Sequence, residues 1–179
     1  MKRHVALVGF MASGKSTIGR KLARALGWLF VDTDALIVRA HGPIPSIFEK
    51  EGEAAFRGYE CNAIRAALNR APPHVVALGG GALTQPENRQ LLEERAHRVF
   101  IQISPEQVFA RVLRGREMRP VLGSAPTLER IKELYAARMA DYSAADFVVD
   151  ASALGDAAVI ELIVAWLRDR RIALARAVS

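Results

Sequence analysis

An unbroken apolar run, Val5 to Val8, feeds directly into Gly9-Phe10-Met11-Ala12-Ser13-Gly14-Lys15-Ser16, and a helical pattern begins at once on the far side. Strand, glycine-rich turn and helix start match G-x-x-x-x-G-K-S/T, and this match constrains the fold more than any other part of the chain. The glycines let consecutive backbone N–H groups point into one concavity, and the helix start adds its dipole. Gly9, Met11, Ala12, Ser13 and Gly14 are therefore expected to cradle phosphates. Lys15 would neutralise the terminal phosphates and Ser16 would hold Mg²⁺, with Thr17 following in the first helical turn. A central strand that is apolar throughout is covered on both faces, which implies an α/β chain with a parallel sheet.

The rest of the sequence continues that alternation. Apolar runs at Trp28 to Val31, Val75 to Leu78, Arg98 to Ile103 and Phe147 to Val149 predict four further strands. Helices are expected from Lys15 to about Leu26, from Ala35 to Ala40, on the capping box Ser46-Ile47-Phe48-Glu49, and from about Glu53 to Asn69. Others follow Pro86, run from Ser104-Pro105 to Arg114, and run from Thr127 to about Ala140. Val159, Leu162, Ile163, Trp166 and Leu167 stripe the last helix, and the tail beyond Arg171 is expected to fray. Between Arg114 and Pro126 lie four charges, two glycines and two prolines without periodicity, which reads as an exposed, mobile lid. At 179 residues the whole chain, 1–179, fits one domain, and 51% hydrophobic residues give it material for a sizeable core.

The formal net charge is +6, and 20 of the 25 basic residues are arginine. Guanidinium groups bind carboxylate and phosphate in a planar fork, so acidic ligands are the favoured partners and nucleic acid a second option. Aromatic residues make up only 7% and the arginines are spread along the chain, which weighs against a stacking surface for nucleic acid. A single cysteine, Cys61, excludes an intramolecular disulfide and suits a reducing cytoplasm. The apolar run after Lys2-Arg3 is too short for a signal peptide, and no stretch has the length of a membrane span. His4, His41, His74 and His97 lie far apart, without the spacing of a zinc site.

Three further patterns bear on the acceptor of the phosphate. Asp32-Thr33-Asp34 closes the second strand; carboxylates at i and i+2 on a strand share a face, so one can serve the metal and the other a substrate hydroxyl. Alternatively Asp34 is simply a helix cap ahead of Ala35. Gly52-Glu53-Ala54-Ala55-Phe56-Arg57 places an arginine one turn into a helix, either solvated or turned to a ligand. Gly79-Gly80-Gly81 after a buried strand either permits close approach of a ligand or makes a plain turn.

In this order, with Arg119-Pro120-Val121-Leu122 and Arg138-Met139-Ala140-Asp141-Tyr142 downstream, the motifs closely resemble those of shikimate kinases, from about Val5 to Asp150. The resemblance implies a three-layer fold with a five-stranded parallel sheet in the order 2-3-1-4-5, helices on both faces, a lid at about 114–126 and substrate-binding helices at about 34–60. It implies a cytoplasmic, monomeric enzyme that uses ATP and Mg²⁺ to phosphorylate shikimate. Lys15 and Ser16 would then meet ATP and the metal, with Asp32 near the ion. Asp34 would contact the shikimate hydroxyls and act as base. Arg57 and Arg138 would bind the carboxylate, assisted by Gly79, Gly80 and Gly81. Arg119 would approach the transferring phosphate and Arg114 would stack on adenine, whereas Arg116 has no role. Val121 stands where the family commonly has leucine. Phe48 and Phe56 are candidates for a wall against the ring, Phe48 more readily as core. A kinase of another small polyhydroxy acid such as gluconate, or a nucleic-acid-linked ATPase, remains the alternative.

Overall fold

The computed structural model describes residues 2–71, 73–115, 119–123, 125–170 and 172. Arg116, Ser124 and the tail from 173 onward, which belong to the expectations above, lie outside the described residues. Five parallel strands, β1 (His4–Val8), β2 (Leu29–Asp32), β3 (His74–Ala77), β4 (Ala96–Gln102) and β5 (Phe147–Asp150), form one sheet in the order β2-β3-β1-β4-β5. Every residue of β1 and of β3 is buried, His4 and His74 at their starts included, as central strands covered on both faces require. β1 lies between β3 and β4, with Val5 opposite Val75 on one side and His97 on the other. The connections therefore change direction at β1, and the loops leaving β1, β2 and β3 open a crevice at the carboxyl end of the sheet.

The helices are α1 (Lys15–Leu26), α2 (Thr33–His41), α3 (Ile44–Lys50), α4 (Gly52–Leu68), α5 (Pro86–Arg95), α6 (Pro105–Arg114), α7 (Leu128–Ser143) and α8 (Asp156–Asp169). Two expected caps form: the Ser104 hydroxyl accepts from Gln107 N–H at 3.2 Å, and the Thr127 hydroxyl from Arg130 N–H at the same distance. The capping box at Ser46 does not. α3 starts two residues earlier because Pro45 fits its first turn, where a missing N–H costs nothing, and Ser46 falls inside the helix. On α8, Val159, Ile163 and Leu167 are buried and Trp166 stacks on Phe147 with centroids 5.1 Å apart, but Leu162 is exposed. A stripe at i and i+4 is narrower than the sequence pattern suggests.

The main core covers both faces of the sheet, while Ile37, Ile47 and Phe56 form a second small core beneath α2, α3 and α4. That small core carries the wall of the crevice that faces the loop after β1. Leu122, in a 3₁₀ turn over Pro120–Leu122, is buried in the main core. The segment between α6 and α7 thus has an apolar anchor, which a reading from periodicity passes over because one leucine makes no pattern.

Candidate active site

The loop after β1 is built around backbone constraints. Gly9 has φ 143°, and a Cβ there would lie 2.6 Å from the Ile101 carbonyl. Ala12 has φ 58°, a left-handed conformation uncommon for a non-glycine residue. Gly14, also left-handed, precedes α1, and no side chain caps the helix, so the first-turn N–H groups of Lys15, Ser16 and Thr17 face the loop. The Lys15 ammonium bends back over it, donating to the carbonyls of Gly9 at 2.8 Å and Phe10 at 2.7 Å and to the Ser13 hydroxyl at 3.3 Å. Burial pulls the Lys15 pKa down to about 8; Asp34 works against this and Arg119 adds to it.

On the opposite wall the two aspartates are not presented by strand alternation. Asp32 ends β2 and caps α2, its Oδ1 accepting from the backbone N–H of Asp34 at 3.1 Å and of Ala35 at 3.2 Å. The cap is therefore Asp32, and Asp34 is released into the first turn of the helix. Its Oδ1 is buried without a hydrogen-bond partner, and burial followed by the negative charge of Asp32 raises its pKa. Thr33, between them, fixes this corner to β3: its hydroxyl donates to the Ala77 carbonyl and accepts from Gly79 N–H, each at 3.2 Å.

The three glycines after β3 admit side chains of the protein itself. A Cβ on Gly79 would lie 2.5 Å from Glu60 Oε1 and 2.8 Å from Asp34 Oδ1; one on Gly80 would lie 2.9 Å from Met11 N; one on Gly81 would lie 2.5 Å from Arg57 Nη1. The triple glycine is a ledge on which the first turn of α2, the loop after β1 and Arg57 meet. Arg57 is held there by Glu53 and Glu60, both at 2.8 Å. Glu60, with its side chain 1% exposed, keeps its second oxygen buried and unpartnered. Burial raises the Glu60 pKa, against the pull of Arg57. From α7, Arg138 Nη1 donates to the Gly80 carbonyl at 3.1 Å and its guanidinium lies 5.3 Å from the Phe10 ring centroid.

These groups surround one cleft of about 660 Å³, a size suited to small ligands. Met11, Ala12, Gly14, Lys15, Ser16, Thr17, Asp32, Asp34, Arg57, Gly79, Gly80, Gly81, Arg119 and Arg138 all line it. Gly9 and Ser13 are buried behind the loop. Phe48 and Phe56, with centroids 4.9 Å apart, line it together with Val38, so Phe48 serves both the small core and the cleft. Arg114, at the exposed end of α6, does not line the cleft; Arg111, one turn earlier, reaches the phosphate loop by donating to the Ala12 carbonyl at 3.0 Å. Sequence reading missed Arg111, Thr33 and Glu60. Only Glu60 left a signal, a carboxylate three residues after Arg57 on one helix face.

A family model described as shikimate kinase matches residues 11–168. The chain belongs to the shikimate kinase family. A shikimate kinase from Geobacter sulfurreducens is 42% identical over 170 residues, which are 94% of this chain and 93% of that one. The structure of a shikimate kinase from Acinetobacter baumannii in complex with shikimate superposes with a TM-score of 0.88 at 32% identity, covering 96% of each chain. A gluconokinase from Sinorhizobium meliloti superposes with a TM-score of 0.62 at 18% identity over 95% of both chains, a likeness of fold alone. Membership of the shikimate kinase family makes the chain an ATP-dependent kinase and accounts for the strand order on which the cleft is built.

Proposed function

We propose that the chain transfers the γ-phosphate of ATP to the 3-hydroxyl of shikimate, giving ADP and shikimate 3-phosphate for aromatic amino-acid biosynthesis. One observation carries the assignment of roles: an unpartnered buried carboxylate oxygen of Asp34 and two inward arginines, Arg57 and Arg138, face the Lys15 loop across a single cleft. A small polyhydroxy acid needs both a hydroxyl acceptor and a carboxylate clamp.

Asp34 orients the reacting hydroxyl and takes its proton, a task favoured by its raised pKa. Arg57 and Arg138 bind the carboxylate, with the glycine ledge between them. Lys15 turns from the loop carbonyls to the phosphates, and Arg119, already on the cleft wall, supplies positive charge as the phosphoryl group moves. The Ser16 hydroxyl and the Asp32 carboxylate are hard oxygen donors on the same cleft, a set that fits Mg²⁺, which takes one or two protein oxygens and completes its shell with water and phosphate. When bound, the ion neutralises charge across the phosphates. Arg114 is the family's candidate for the adenine ring. The same reading takes residues 1–179 as one catalytic domain acting as a cytoplasmic monomer without a nucleic-acid partner, with Arg119 to Gly123 among the described residues of the lid expected at about 114–126. No helix among the described residues is long and apolar enough to cross a membrane.

The test is ADP release with ATP and Mg²⁺ across shikimate, gluconate and nucleoside monophosphates. Release stimulated by shikimate alone supports the reading; gluconate as the better acceptor sinks it.

A further inference from the structure

Tyr142, on α7 one turn beyond Arg138, is 2% exposed and stacks on Phe100 with centroids 5.0 Å apart. Its hydroxyl donates to the Gly80 carbonyl at 2.5 Å, the same oxygen that accepts from Arg138 Nη1 at 3.1 Å. One half-buried carbonyl thus has two donors from successive turns of a single helix, and the two residues contact the ledge that abuts Met11 of the phosphate loop. A carbonyl has two lone pairs, so both bonds are compatible, but either one alone satisfies it.

The redundancy matters because only one of the two donors carries a charge that a ligand can use. If Arg138 turns its guanidinium to an acid, the half-buried Gly80 carbonyl on the cleft wall loses one donor. An acceptor left without any donor beneath a bound ligand is costly. The Tyr142 hydroxyl removes that cost, since burial pushes its pKa up to about 12 and it stays a donor throughout the working range of pH. We propose that Tyr142 is a positioning residue for the acceptor's carboxylate, holding the Gly80 carbonyl so that Arg138 can leave it for the ligand without unmaking the glycine ledge. The inference rests on the reading of Arg138 as a carboxylate ligand.

The test compares shikimate with its neutral carboxamide by titration calorimetry on wild type and Tyr142→Phe. The variant keeps the ring on Phe100, and in the free protein Arg138 still satisfies Gly80, so its melting temperature should stay close to that of wild type. Shikimate affinity should fall about tenfold, while affinity for the carboxamide and for ATP stays within twofold. In an Arg138→Met background, where no guanidinium leaves the carbonyl, removing the hydroxyl should lower the melting temperature and leave shikimate affinity unchanged. Equal losses for acid and amide, or no loss for either, overturn the proposal and leave the function standing. A wild-type protein that binds no shikimate overturns both. A reading that needs no variant is the ¹³C shift of the Gly80 carbonyl in wild type: shikimate should move it part of the way toward that of a carbonyl with one donor fewer. No movement means that Arg138 never leaves, and the proposal fails.

Discussion

Asp32 and Asp34 are the same residue type two positions apart, yet their surroundings assign them different work. Asp32 commits one oxygen to two backbone N–H groups at the start of α2, whereas Asp34 has a buried oxygen with nothing to accept from. Asp32→Ala should therefore lower stability by about 1 kcal/mol, the usual value of a helix cap, in urea unfolding without Mg²⁺. Asp34→Asn should leave stability unchanged or raise it, because it removes a buried charge, and should lower turnover roughly 100-fold or more while ATP still binds. Turnover within threefold of wild type would return Asp34 to a structural role. Lys15 sets a second expectation at this scale. Its pKa in the free protein is pulled down to about 8, so the ammonium is lost as pH rises through that value, and phosphates bound to it favour the protonated form. ATP affinity should weaken above about pH 8, and binding near that pH should take up protons, read by calorimetry in buffers of different ionisation enthalpy. Lys15→Arg, which keeps its charge, should bind ATP with a flat profile over the same range.

At the scale of elements the glycine-rich loop, the strands and most helices were legible from sequence, because each rests on a local rule: periodicity, a cap, or glycines between strand and helix, whereas the strand order came only from the resemblance to shikimate kinases. The acceptor wall was legible as residues but not as geometry. Asp32-Thr33-Asp34 reads as a strand end with both carboxylates on one face, but the backbone turns helical at Thr33 and the cap separates them. Glu60 sits in the middle of a helix, and nothing local shows that it is buried beside Gly79. The segment expected to be a lid is the middle case. Its composition suggests little to bury, yet Leu122 joins the main core while Pro120 and Val121 line the cleft. Arg119, next to that anchor, is on the cleft wall and close enough to affect the Lys15 ammonium. Its charge is made most useful when the phosphoryl group is in transit, so Arg119→Ala should lower kcat by about 100-fold with a much smaller rise in the KM for shikimate. Arg119→Lys should restore part of the rate, since a point charge lacks the guanidinium fork. A rise in KM with kcat unchanged would make Arg119 a binding residue only.

The whole molecule carries a second titrating feature at the end of the sheet opposite the cleft. His4 begins β1 and His74 begins the adjacent β3; both are buried, with ring centroids 5.9 Å apart. His74 N–H donates to His4 Nδ1 at 3.2 Å, and His4 Nε2 is buried without a partner. Burial first, then the proximity of His74, Arg3 and Arg95, pulls the His4 pKa down to about 4 from an ordinary 6.5, with the Leu68 carbonyl opposing weakly. Between those two values the unfolded chain binds a proton that the folded chain refuses. Stability from this site is therefore complete above about pH 6.5 and is lost as pH falls toward 4, by up to roughly 3 kcal/mol from linkage. Asp34 and Glu60 act in the opposite sense, because their raised pKa values let the folded state take up protons first, and acid relieves their buried charge. The overall slope mixes these contributions, so a variant has to isolate the histidine. His4→Asn places a neutral oxygen where Nδ1 accepts from His74 and cannot be protonated in this range. Urea unfolding at pH 7.5 and pH 4.5 should show wild type losing more stability between the two than the variant, with the cleft carboxylates contributing equally to both. Identical losses would mean that His4 has no part in the protein's response to acid.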